Sequence, residues 1–316
     1  MTPWTDPTHS AAPPPRKVSR RGLYIPWAVA VVVAIAWSLW WLWLMHATVA
    51  GMDATAARLR AAGWRVAWAS RQTGGYPFRL DVDVMGLEVA DASGWGIAAP
   101  ALKTEAFAFE PTHWVFYLPG GRVTVSRAEG GPIDVAARVL RGSVSGVGEG
   151  VPRIALEVDD ARFAAGPGAS PVTLAAAKNV QFYTRPGPED HGATYLSIAG
   201  GVATPGGWLA VLSGGGPVSL KTDAIFGHAS AFALPDLRQG LVAWTRAGGG
   251  LEIQHFELAA GPRRFTAASG RLSIGADGGL AGQIALVAGG LPLTLDFKGG
   301  EAWVGGVRVA TAPRLF

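Results

Sequence analysis

Residues 25–45 read IPWAVAVVVAIAWSLWWLWLM, a run of twenty-one residues with no charged side chain. As a helix rising 1.5 Å per residue the run spans about 31 Å, matching the roughly 30 Å of bilayer hydrocarbon. It is apolar on every face, so no one-sided packing in a soluble body buries it. Pro26 falls in the first turn, where a missing N–H costs little. Trp40, Trp41 and Trp43 gather near the far end, as interfacial aromatics do. Arg16, Lys17, Arg20 and Arg21 precede the run, and no Lys or Arg follows it until Arg58. The positive-inside rule then places the N-terminus in the cytoplasm and the long C-terminal part across the membrane. Thr48-Val49-Ala50 is a passable signal-peptidase site. The apolar run, however, exceeds the 7–15 residues of a signal-peptide core, which favours an uncleaved signal anchor.

Charge supports a membrane partner over nucleic acid. The pI near 9.6 comes largely from residues 1–22, with four basic side chains against Asp6 alone. The rest of the chain carries 23 basic and 22 acidic side chains, too balanced for a phosphate-binding footprint. There is no cysteine, which excludes disulfides, thiolate metal sites and cysteine nucleophiles.

The sequence divides into a Pro-rich cytoplasmic tail expected to be disordered (1–22), the transmembrane anchor (23–46), a helical stalk (47–63) and a β-rich periplasmic domain (64–316). DATAARLRAA (53–62) favours helix and Gly63 can end it. From Trp64 the pattern becomes strand-like, with many glycine-marked turns. In GGYPFRLDVDV (74–84), Phe78, Leu80, Val82 and Val84 alternate with Arg79, Asp81 and Asp83. Further strands are expected at 102–109, 114–118, 122–127, 133–140, 153–163, 172–184 and 194–200. A hairpin turning on Ala276-Asp277-Gly278 is expected over 270–286. Leu291, Leu293, Leu295 and Phe297 form another apolar row, followed by a strand at 303–309. Leu237, Leu241 and Trp244 are spaced for a helix over 236–247, with Pro235-Asp236 as its start. The expected fold is therefore mainly β with a few helices. It is a curved antiparallel sheet, arranged as one sheet, two sheets or a half-open barrel, plus one N-terminal transmembrane helix.

No chemical constellation emerges. His9, His46, His113, His191, His228 and His255 lack metal-protease spacing. GSVSGVGEG (142–150) reads as a glycine-rich turn between strands, since no phosphate-loop Lys-Ser or Lys-Thr follows. Asp81 and Asp83 share one strand face and read as solvated. Asp159-Asp160 reads as a bulge or turn, and Glu189-Asp190-His191 as a polar loop.

RLRAAGWRVAWASRQTGGYPFRLDVDV, FEPTHWVFYLPGGRVTV, LVAWTRAGGGLEI and FKGGEAWVGGVRVATAPRLF together resemble domain-of-unknown-function family 2125, envelope proteins of alphaproteobacteria, over roughly residues 45–316. The resemblance brings no activity or catalytic residue with it. A looser architectural likeness links the anchor, the strand entry and the Asp-Gly hairpin to AsmA-like proteins. Those are associated with lipid movement between membranes or outer-membrane biogenesis, and fold likeness alone is weak evidence of function.

The expected protein is a single-pass bacterial inner-membrane protein, non-enzymatic and without a cofactor or metal. Its expected role is to bind or shield an apolar ligand such as lipid. The apolar rows Phe78, Leu80, Val82, Val84 and Leu291, Leu293, Leu295, Phe297 are the candidate binding surface. The alternative is an envelope scaffold that binds a protein partner without a ligand.

Overall fold

The computed structural model describes residues 21–127, 130–147, 151–233 and 237–312. Residues 1–20 of the expected tail, His9 among them, residues 148–150 and the Pro235-Asp236 helix start lie outside these. The expected span and stalk form one helix, α1 (Arg21–Ala61). Its residues 24–36 are exposed all round, while Trp37, Trp41, Met45 and Ala56 turn one face toward the rest of the chain. The helix ends where the Trp64 N–H returns to the Leu59 carbonyl and the Gly63 N–H to Arg60.

Among the described residues nineteen strands join one antiparallel sheet, so the two-sheet alternative does not apply. The first part holds β1 (Arg65–Ala67), β2 (Ser70–Gly74), β3 (Arg79–Ala90), β4 (Gly96–Phe107), β5 (Glu110–Tyr117) and β6 (Arg122–Ser126). The middle holds β7 (Ile133–Ala136), β8 (Val139–Ser145), β9 (Arg153–Ala165), β10 (Leu174–Pro186), β11 (Gly192–Ala203) and β12 (Val218–Phe226). The last part holds β13 (Leu251–Ala260), β14 (Arg263–Ala267), β15 (Gly270–Ile274), β16 (Leu280–Ala288), β17 (Leu291–Lys298), β18 (Glu301–Val304) and β19 (Val307–Thr311).

The path is largely a meander in which successive strands pair. In four places a pair of strands shares one rung, as β1 and β2 do along β3 and β14 and β15 along β13. β5 and β6 both lie along β4, and β7 and β8 both lie along β9. The sequence reading of one strand over 133–140 is corrected by this break. The neighbouring rung is interrupted by the turn Pro119–Gly121, and the chain at Ala137-Arg138 follows it. The Ala137 N–H bonds to the Gly121 carbonyl at 2.8 Å, and the Arg138 N–H to Asp159 at 2.9 Å. Gly121 sits at φ +59, and a Cβ there would lie 1.9 Å from the Ala137 oxygen, so only glycine allows this approach. The expected strand at 303–309 is likewise two, β18 and β19. Gly305-Gly306, both at positive φ, supply the two-residue hairpin turn between them.

The expected helix near 236–247 is present as α3 (Leu237–Arg246). Trp244 anchors it, donating its indole N–H to the Gly227 carbonyl at 2.6 Å and packing against Phe232. A short helix, α2 (Trp208–Ser213), covers Val218 and Ala260 through Leu209. The remaining apolar side chains form two larger clusters on the sheet. One centres on Ile253, Leu272, Ile284 and Leu286, the other on Leu118, Leu140, Val158 and Ala161.

Candidate functional site

The second of those clusters is only half covered. A groove of about 1080 Å³ runs between the C-terminal half of α1 and one face of the sheet from β1 to β10. The helix contributes Thr48, Met52, Thr55, Ala56 and Leu59. The sheet contributes apolar side chains from each rung in turn: Leu87 of β3, Leu102 of β4, Phe116 of β5, Val123 of β6, Leu140 of β8, Leu156 of β9 and Val180 of β10. Among the described residues no charged side chain lines it, and the polar ones are three threonines. Its volume lies just above the roughly 300–1,000 Å³ of pockets that hold a small ligand, and its largely apolar lining matches theirs. Several lining residues, Leu102, Phe116, Leu156 and Phe163 among them, are half-buried, so the groove leaves apolar surface open.

Local chemistry builds the groove wall. Alternation puts Phe116 on the groove face of β5 and Tyr117 on the other, where Tyr117 borders a polar surface with Lys103. The helix wall is fixed at both ends. At the lower end, Asp53 and Arg71 form a two-pronged ion pair at 2.7 and 3.0 Å, and the Arg71 guanidinium holds the Asp53 carboxyl below its usual pKa. Arg60 donates to the Val66 carbonyl, and both arginines lie over the Trp68 ring. At the upper end, the GYPFR turn grips the apolar part of α1. Trp37 donates to the Pro77 carbonyl and Trp41 to that of Arg79, both at 2.8 Å. Ser38 meets the Tyr76 hydroxyl at 2.8 Å, and the Tyr76 ring stands edge-on to Trp41 at 5.3 Å.

The apolar rows singled out from the sequence lie elsewhere. Leu80, Val82 and Val84 are almost wholly buried, Leu80 against Trp41, Met45 and Ala108. Phe78 is exposed at the start of the row. Leu293, Leu295 and Phe297 pack onto the Ile284 cluster, and Leu291 is exposed at a turn. None of the eight lines the groove. The groove residues are absent from the candidates read from sequence because they are spread over nine strands, with at most four on any one. The available signal was the alternation in strands 114–118 and 153–163.

The polar candidates resolve into surface pairing. Arg79 bridges Asp81 and Glu105 at 3.0 and 3.1 Å, and Lys103 meets Asp83 at 3.0 Å. Asp83 raises the Lys103 ammonium pKa by hydrogen bonding and charge. These are partly exposed surface pairs, which contribute little to stability. Asp160 takes φ +49, the expected irregularity, and Arg138 holds both Asp159 and Asp160. Asp190 accepts from the Ser230 N–H and hydroxyl, tying its loop to the segment before α3. The His191 ring faces the Pro188 carbonyl. Among the described residues no three His, Asp or Glu side chains converge as a metal would require.

A family model described as "Uncharacterized protein conserved in bacteria (DUF2125)" matches residues 41–296. No curated protein and no solved structure matches the chain significantly.

Proposed function

The chain belongs to the DUF2125 family, and we propose that it is a non-enzymatic, membrane-anchored envelope protein whose groove binds or shields an apolar ligand, foremost a lipid acyl chain. The observation that carries this reading is the groove itself: a large uncharged channel, half-covered, with the helix that enters the membrane as one wall. In this reading α1 is retained as a signal anchor, with the N-terminus cytoplasmic and the sheet in the periplasm. The packing supports retention, because cleavage after Ala50 removes Trp37, Trp41 and Met45 and strips the cover from Leu80, which is 0% exposed. The test is lipid extraction and mass spectrometry on the purified full-length chain and on Leu156→Asp, with folding checked by circular dichroism. The wild type retains stoichiometric lipid beyond the annulus shared by both proteins, and the variant loses it. Equal lipid on both folded proteins rejects the groove as the site. A reproducible protein partner with no lipid favours the scaffold role instead.

A further inference from the structure

The end of the sheet nearest α1 carries a cluster of uncovered aromatic rings. Tyr76 is 57% exposed, Phe78 61%, Phe107 53% and Phe109 66%. Phe107 and Phe109 stack at 5.0 Å, the second lying in the turn from β4 to β5, beside the turn that bears Tyr76 and Phe78. The Ala108 N–H bonds the Phe78 carbonyl at 2.8 Å, so the two turns form one tip. Exposed aromatics at such density mark a surface with a partner.

The helix identifies that partner. Tyr76 meets α1 at Ser38 and Trp41, inside the apolar run. At 1.5 Å per residue those positions lie about 10 and about 6 Å short of Met45, the run's last residue. Interfacial elements bury their apolar faces to a similar depth, about 5–10 Å into the headgroup–acyl boundary. Arg79 and Glu110 flank Phe107 on the strands to either side, Asp81 and Glu105 lie two residues further from the tip, and Arg79 is ion-paired to both Asp81 and Glu105, which sets the polar limit of immersion. Tyr and Phe rings backed by charged groups suit that boundary.

We propose that the aromatic tip formed by Tyr76, Phe78, Phe107 and Phe109 is a membrane-insertion surface, seated in the leaflet from which α1 emerges, and that it holds the adjacent groove mouth at Pro111 and Trp114 against the lipid. It rests on α1 being a membrane span and adds an entry route to the groove. A ligand then passes from the leaflet past Trp114 without crossing water.

The chain has no cysteine, so single-cysteine labelling carries no background. Full-length Phe107→Cys, Phe109→Cys, Ile35→Cys and Ala92→Cys are labelled with an environment-sensitive fluorophore. Each is reconstituted in phosphatidylethanolamine–phosphatidylglycerol vesicles containing a lipid with a nitroxide high on its acyl chain. All four positions are exposed, so folding is not at stake. Ala92 lies at the opposite end of the β3–β4 hairpin, about 40 Å away at strand rise. The tip labels are expected to lose at least half as much emission as the Ile35→Cys label, while the Ala92→Cys label responds only to aqueous iodide. Tip labels that behave like Ala92→Cys, with Ile35→Cys quenched, overturn the insertion surface and leave the anchor and groove standing. An unquenched Ile35→Cys label overturns the membrane span and this inference with it.

Discussion

Replacing Trp41 should open the joint between α1 and the GYPFR turn. Trp41 is 7% exposed, packs on Leu80 and Tyr76, and gives its only side-chain hydrogen bond to the Arg79 carbonyl. Removing a buried aromatic ring costs about 3–5 kcal/mol. The lower figure applies here, because Trp37 and Met45 still hold the helix against the sheet. Each 1.4 kcal/mol is tenfold in an equilibrium, so Trp41→Ala raises local opening by about a hundredfold. Trp41→Phe keeps most of the ring and loses the N–H, leaving a carbonyl unsatisfied at about 1–2 kcal/mol, roughly tenfold. Native-state amide exchange in a membrane mimetic reads both at two amides that close the joint, Arg79 to Gly75 and Ala108 to Phe78. Trp43→Ala is the control, since Trp43 is exposed on another face of the same helix. The expected order is Trp41→Ala fastest, Trp41→Phe between, and Trp43→Ala equal to wild type. Exchange in Trp41→Ala no faster than in Trp43→Ala refutes the joint.

Gly121→Ala should be clearly less stable than Gly120→Ala in thermal unfolding. Both take a positive φ, worth about 1–3 kcal/mol of strain for alanine, but only at Gly121 does the new Cβ meet backbone. Asp53→Asn should lower the thermal midpoint at neutral pH. Because Arg71 depresses the folded-state pKa of Asp53, its contribution is present above the unfolded carboxylate value and lost as pH falls through the lowered one. The gap between wild type and variant therefore closes below about pH 4. Lys103→Met should leave the thermal midpoint nearly unchanged, since its pair with Asp83 lies at the surface.

Much of this fold is legible in the sequence where physics is local. An uncharged apolar run of this length has few uses besides a membrane, and the strands declare themselves by alternation between glycine turns. The Asp81 and Asp83 face is polar and ion-paired, because the neighbouring strand supplies Lys103 and the same strand Arg79. The strand breaks at Ala137-Arg138 and at Gly305-Gly306 are less legible. The first is imposed by a turn in the neighbouring rung, and the second needs two adjacent left-handed residues.

The groove is the least legible feature, for a physical reason. Period-two patterning tells which side chains share a face of one strand, not what covers that face. Leu80 and Leu156 look alike in sequence. The first is sealed by Trp41 and Met45, some forty residues earlier, and the second faces the gap beside Leu59. Tyr76-Pro77 reads as a stiff turn, but its grip on Trp37 and Trp41 appears only when the sheet meets the helix.

Site-specific photocrosslinking in living cells tests the groove most directly. A benzophenone amino acid is placed at Phe116, inside the groove, and at Tyr117, its neighbour on the opposite face of β5. After irradiation, the account predicts an adduct with the mass of a membrane lipid at position 116 and none at position 117. No lipid adduct at 116, or a protein adduct there in its place, contradicts the claim that the groove holds an apolar ligand.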